Sequence, residues 1–132
     1  MKIDYQAVFE EAQVAAQKAF VDAQPVPMVV GSPSSPLGND VDPSKEMWFV
    51  ADGVCGFAWV NFGDGRGALP RWLRSKKLGY KDYYGGWSVW SSEFLPNDRS
   101  QSMQRKEAAM KAVVGVYRKY GFNDVGYRSR MD

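Results

Sequence analysis

At 132 residues the chain has the length of one domain, and a chain of that size buries about two-thirds of the surface its unfolded form exposes. Nineteen residues are Phe, Tyr or Trp, 17 Lys and Arg stand against 15 Asp and Glu, and there is one Cys and no His. Zinc fingers, catalytic zinc, disulfide frameworks and Cys-His or Ser-His-Asp sites are thereby excluded.

The opening MKIDYQAVFEEAQ has no apolar signal core, and no apolar run approaches the ~20 residues that span a bilayer. A cytoplasmic protein without membrane contact is expected, and the lone Cys55 fits a reducing compartment. Residues 3–23 contain no Gly or Pro and place Tyr5, Val8, Ala12, Ala15 and Ala19 on one stripe, widened by Phe9, Ala16, Phe20 and Ala23. That spacing predicts a helix, which Pro25 and Pro27 end. Residues 24–46 hold five of the seven prolines and read as a loop, with room for a short edge strand at Met28 to Val30.

Met47 to Ala51 and Gly56 to Phe62 flank Asp52-Gly53, which predicts a hairpin. The second strand is apolar on both faces, as a central strand covered on both sides would be. Pro70 opens a short helix that runs to Lys77 and is closed by Gly79. Gly86 to Phe94 reads as another strand. A long helix follows, capped by Asp98 or Ser100, with Met103, Met110, Val113, Val114 and Tyr117 as its buried stripe and Gly121 at its end. Val125 to Arg130 is the last strand. The order predicts an α+β fold in a single domain, 1–132: helix 3–23, proline-rich loop 24–46 and an α+β core over 47–132. One mixed β-sheet of about four to five strands carries three helices.

Charge is unevenly spread. Residues 1–64 sum to −6, Gly65 to Lys81 to +6, and Arg99 to Tyr120 to +5. Arg66, Arg71, Arg74, Lys76, Lys77 and Lys81 precede or adjoin Tyr80, Tyr83, Tyr84, Trp87 and Trp90. Cations that track phosphates beside rings that stack bases are what a single-stranded nucleic acid requires; a solvated helix face followed by core aromatics has the same composition. Trp72, Tyr83, Tyr84 and Trp87 form a candidate protein interface, since Trp, Tyr and Arg dominate such contacts; a ring-rich core is the alternative.

The turn Gly63-Asp64-Gly65-Arg66-Gly67, between a strand and a helix, could aim backbone N–H groups at an anion, but it matches neither GxGxxG nor GxxxxGK[ST] and reads as a flexible connection. Cys55 has no His to activate it and is expected as a small buried apolar side chain. Asp52, Asp64, Asp82, Glu93 and Asp98 could pair as acid and base or hold Mg²⁺, but no spacing groups them. No catalytic residue, metal or cofactor is assigned.

The segments DGVCGFAWVNF (52–62), YYGGWSVW (83–90), QSMQRKEAAMKA (101–112) and SRMD (129–132) resemble a group of small uncharacterised proteins of tailed bacteriophages and prophages. The resemblance covers about residues 52–132. It implies a phage-type accessory protein acting in the bacterial cytoplasm or the virion, and brings no catalytic residues with it. The expectation is therefore a non-enzymatic protein that binds a host or phage protein. A nucleic-acid-binding module and a metal-dependent enzyme using loop carboxylates are the alternatives, and a homo-oligomer remains open.

Overall fold

The computed structural model describes residues 2–31, 47–96 and 100–132. The first helix, α1 (Tyr5–Asp22), starts where the Asp4 carboxylate accepts a hydrogen bond from the Ala7 N–H at 3.1 Å, satisfying one of the donors that a helix N-terminus leaves free. Its buried stripe is Val8, Phe9, Ala12 and Ala16. The chain continues through β1 (Met28–Gly31), β2 (Met47–Val50), β3 (Gly56–Phe62), α2 (Ala68–Ser75), β4 (Tyr80–Lys81) and β5 (Trp87–Trp90). It ends with α3 (Ser91–Phe94), α4 (Met103–Lys119) and β6 (Val125–Met131).

The fold is α+β, and the expected mixed sheet is antiparallel at every described pairing. Four strands lie in the order β4-β5-β3-β6, while β1 and β2 form a separate pair. From β3 onward, leaving aside the one-turn α3, the chain runs β-α-β-β-α-β, the split β-α-β arrangement. β3 is flanked on both sides, with Trp59 opposite both Trp90 of β5 and Arg128 of β6.

Ala58, Val60 and Phe62 of β3 and Trp87 and Val89 of β5 point into the core with Met110, Val113 and Tyr117 of α4. α4 lies between the sheet and α1, whose small Ala12 and Ala16 are fully buried. Trp72 of α2 sits 6.1 Å from both Tyr5 and Phe9, and Phe94 of α3 lies 5.0 Å from Phe9 (ring centroids). All four helices thus join one apolar layer on one side of the sheet.

Four expectations are corrected. First, β2 and β3 do not pair as a hairpin. The backbone of residues 52–56 is occupied by the start of α4: Ser102 Oγ donates to the Asp52 carbonyl at 2.7 Å, Met103 N to Val54 O at 3.0 Å, and Gly56 N to Gln101 O at 3.0 Å. Second, the strand expected over 86–94 stops at Trp90, because Ser91–Phe94 turns helical and buries Phe94. Third, the cap of α4 is Ser102, whose Oγ accepts from Arg105 N, and not Ser100; Asp98 lies outside the described residues, as does most of the proline-rich loop. Fourth, Cys55 is exposed. It has the parity of Phe57 and so lies beyond the end of β3 on the side away from the helices.

Tyr117 is fully buried, edge-to-face with Phe62 at 5.0 Å, and its hydroxyl has no hydrogen-bond partner among the described residues. Burial alone pushes that phenol well above its ordinary pKa. A buried hydroxyl without a partner costs stability. Tyr117→Phe is therefore expected to raise stability, by about 1 kcal/mol, whereas Leu73→Ala is expected to cost about 2–5 kcal/mol through the cavity it leaves. Urea denaturation of both variants checks this; a Tyr117→Phe protein less stable than the parent would contradict it.

Candidate functional site

The helix-free side of the sheet carries the site. Strand alternation and register place its side chains in three rows. Gly126, Asn61, Ser88 and Tyr80 form one row, Arg128, Trp59 and Trp90 the next, and Arg130 and Phe57 the third. Tyr80 stacks on Trp90 at 5.4 Å and 28° between ring planes. Trp59 meets Trp90 edge-on at 5.2 Å, and Phe57 does so at 6.3 Å. The Arg130 guanidinium stands 5.4 Å from the Phe57 ring centre, and the Lys106 ammonium reaches to 5.6 Å from it. The indole N–H of Trp59 has no acceptor among the described residues. With strands about 4.8 Å apart and residues about 3.4 Å apart, the patch measures roughly 14 Å each way.

No described helix lies over these rows. Trp90 is 36% exposed, and Phe57, Trp59 and Tyr80 are half-buried. Among the described residues the outer side of β3, expected to be covered like the inner one, is half-buried, sheltered by neighbouring rings, Arg130 and Lys106. Burial is the largest influence on the Tyr80 phenol and raises its pKa, while Arg130 pulls the other way.

One end of the face is locked by Asp82. Its carboxylate accepts from the Ser88 hydroxyl at 2.6 Å and from Tyr84 N at 2.8 Å. Asn61 Nδ2 donates to Ser88 Oγ and to Gly85 O, both at 3.0 Å. This network holds the turn 82–86, at whose tip Tyr83 and Tyr84 are 93% and 81% exposed. Gly86 has a positive φ (77°), and a Cβ there would overlap the Phe62 carbonyl oxygen, so the turn can close onto β3 only with glycine.

On the helix side of the same turn lies a groove of about 380 Å³, lined by Gly63, Asp64, Gly65, Arg66, Arg74, Lys81, Gly86 and Trp87. The Arg74 guanidinium covers the Trp87 ring at 4.8 Å, while the Trp87 indole N–H donates to Leu78 O at 2.9 Å. The GDGRG turn thus forms a wall of this groove, with Arg66 N donating to the Asp64 carboxylate at 3.0 Å.

The sequence-derived nucleic-acid set therefore divides. Arg66, Arg74 and Lys81 meet in the groove, Tyr80 belongs to the sheet face, and Tyr83 and Tyr84 project from the turn between them. Arg71 folds back toward Arg66 O at 3.4 Å, and Lys76 and Lys77 are exposed past the end of α2. The proposed interface of Trp72, Tyr83, Tyr84 and Trp87 is not one patch, because Trp72 packs on α1 and Trp87 is only 8% exposed. Trp90, one of the rings that follow the basic run, does join the face, while Phe57, Trp59, Arg128 and Arg130 were not among the candidates; their signal was pairs two residues apart, Phe57 with Trp59 on β3 and Arg128 with Arg130 on β6.

Among the described residues no group of three Cys, Asp or Glu side chains could hold a metal ion, and no helix is long and apolar enough to cross a membrane. The fold and the ring-lined face describe an α+β domain with one aromatic and basic sheet surface that no described helix covers. No protein-family model, curated protein or solved structure matches the chain.

Hydrogen bonds from Ser88, then Tyr84, hold the Asp82 carboxyl below the usual carboxylate range. Its folded pKa lies below its unfolded value, so its stabilisation is present above about pH 4 and is lost as pH falls through the folded pKa. Asp82→Asn is expected to lower the melting temperature at neutral pH, with the gap to the parent closing on acidification. A gap independent of pH would show that the charge of Asp82 does not stabilise the turn.

Proposed function

We propose that this protein is a non-enzymatic binding module that takes single-stranded nucleic acid on the ring-lined outer face of its sheet. The observation that carries the reading is the meeting of Phe57, Trp59, Tyr80 and Trp90 on one side of a four-stranded sheet, bordered by Arg128 and Arg130. Flat rings accept any base by stacking, and arginines along one edge attract the phosphates between bases. A patch roughly 14 Å across accommodates two or three bases, as sheet faces of four-stranded RNA-binding modules do. That parallel is one of architecture, and fold alone fixes no function.

A protein partner is the second reading. It is favoured by Tyr83 and Tyr84, which stand almost fully exposed at 5.0 Å from each other on an ordered turn. The resemblance of residues 52–132 to phage proteins supports an accessory role in an infected bacterial cytoplasm or in the virion for either activity.

Binding of an oligonucleotide to the face is expected to quench tryptophan fluorescence. Trp90→Ala should weaken single-strand binding by about 5- to 150-fold, which is about 1–3 kcal/mol for one stacked base. Arg128→Glu with Arg130→Glu should flatten the dependence of log K on log salt by about 0.7 for each phosphate no longer neutralised. Fluorescence titration across a range of salt concentrations measures both. Equal affinities for parent and Trp90→Ala, or no binding by the parent, would remove the proposal and leave the protein partner.

A further inference from the structure

We infer that the groove between the 63–67 turn and the β4–β5 turn is a phosphate subsite, which takes the backbone of the strand after it leaves the sheet face. The inference rests on the reading above and extends it to the opposite side of the sheet. Three cations, Arg66, Arg74 and Lys81, converge on one cavity of about 380 Å³. None of their charged groups is among the ion pairs of the described residues, whose cations are Lys18, Arg105 and Lys119. Asp64 is the single acid in the wall, and its Oδ1 accepts from Arg66 N. Like charges gathered in a cleft repel one another and are relieved by a bound anion.

The groove is also tied to the face. Asn61 points to the outer side of β3 and donates to Gly85 O, while the next residue, Gly86, lines the groove. The turn 82–86 is thus the corner between the two surfaces, with Tyr83 and Tyr84 at its tip. A strand whose bases stack on Trp90 and Tyr80 reaches the groove by rounding that corner. The ligand chemistry recognised there is a phosphate diester, held by charge and carrying no sequence information.

The test uses the full chain with Arg66→Glu and Lys81→Glu combined; both positions are exposed, and circular dichroism confirms that the variant folds. Labelled oligothymidylates of about four and about twelve nucleotides are titrated at several salt concentrations. The variant is expected to bind the short strand like the parent and the longer one about tenfold or more weakly, with a salt slope flatter by about 0.7 for each phosphate that the groove no longer neutralises. Unchanged affinity and slope for the longer strand would overturn the subsite while leaving the sheet-face reading intact. Absence of any binding by the parent would overturn both. Amide NMR shifts on adding tripolyphosphate separate the sources of phosphate. Shifts at Gly65 and Gly86 that disappear in the variant, with oligonucleotide affinity unaffected, would assign the groove to a free polyphosphate and overturn the strand path.

Discussion

The structure depends on the alternation of β3. It is paired on both sides and packs against α4, so each of its residues has an assigned direction. Ala58, Val60 and Phe62 are buried against the helices, while Phe57, Trp59 and Asn61 set the rows of the outer face. A slip of one residue would exchange the two sets, placing two large rings and an amide in the core and opening the core to solvent. The register that makes the core is therefore the register that makes the site.

That coupling explains why the start of α4 is bound so firmly to the residues before β3. Arg105 holds Asp52 Oδ1 at 3.1 Å through Nε and the Phe20 carbonyl at 2.8 Å through Nη1, joining the end of α1, the β2–β3 connection and α4 at one side chain. The ion pair is partly exposed, so its Coulombic worth is small. Its effect is geometric, because a planar guanidinium with fixed donors fixes the relative placement of three segments. Lys106, one residue on, is buried and donates to Gly56 O at 3.1 Å, which pins the first residue of β3. The far end of the same strand is fixed by Gly63 N donating to Asp124 O at 2.9 Å.

The three longer helices were legible in the sequence because their signals are local, whereas the one-turn α3 was read as strand. Alanine and aromatic spacing marks α1, the Met103 to Tyr117 stripe marks α4, and Gly121, with φ of 94°, ends it as a C-terminal glycine should. The strands of the main sheet were largely legible as segments, but their pairing was not. Asp52-Gly53 is a fair hairpin signal, yet the backbone it would use is claimed by α4, some fifty residues away. The site suffered most, since Trp59, Trp90 and Arg128 become neighbours only through that pairing. A charge count along the chain found Arg66, Arg74 and Lys81 because they lie close in sequence. It passed over Arg128 and Arg130, which sit on β6 where Tyr127 and Ser129 intervene and point the other way.

The same alternation bears on why the rings are poor candidates for mere core. Among the described residues, Phe57 meets the ring of Trp90 and the cations of Arg130 and Lys106, and Trp59 meets the ring of Trp90. Cations over aromatic faces stay solvated at their heads while their stems shelter the rings. Such a surface is stable in water and still offers stacking area to a planar, negatively charged ligand. Rings with arginines are also the composition of a protein interface, where Trp, Tyr and Arg are enriched, so composition by itself does not separate the two ligands. Two arginines two residues apart on an edge strand, beside rings on the next two strands, set positive charge at a regular spacing along one side of a stacking surface. That arrangement matches a polymer whose phosphates lie on one side of its bases.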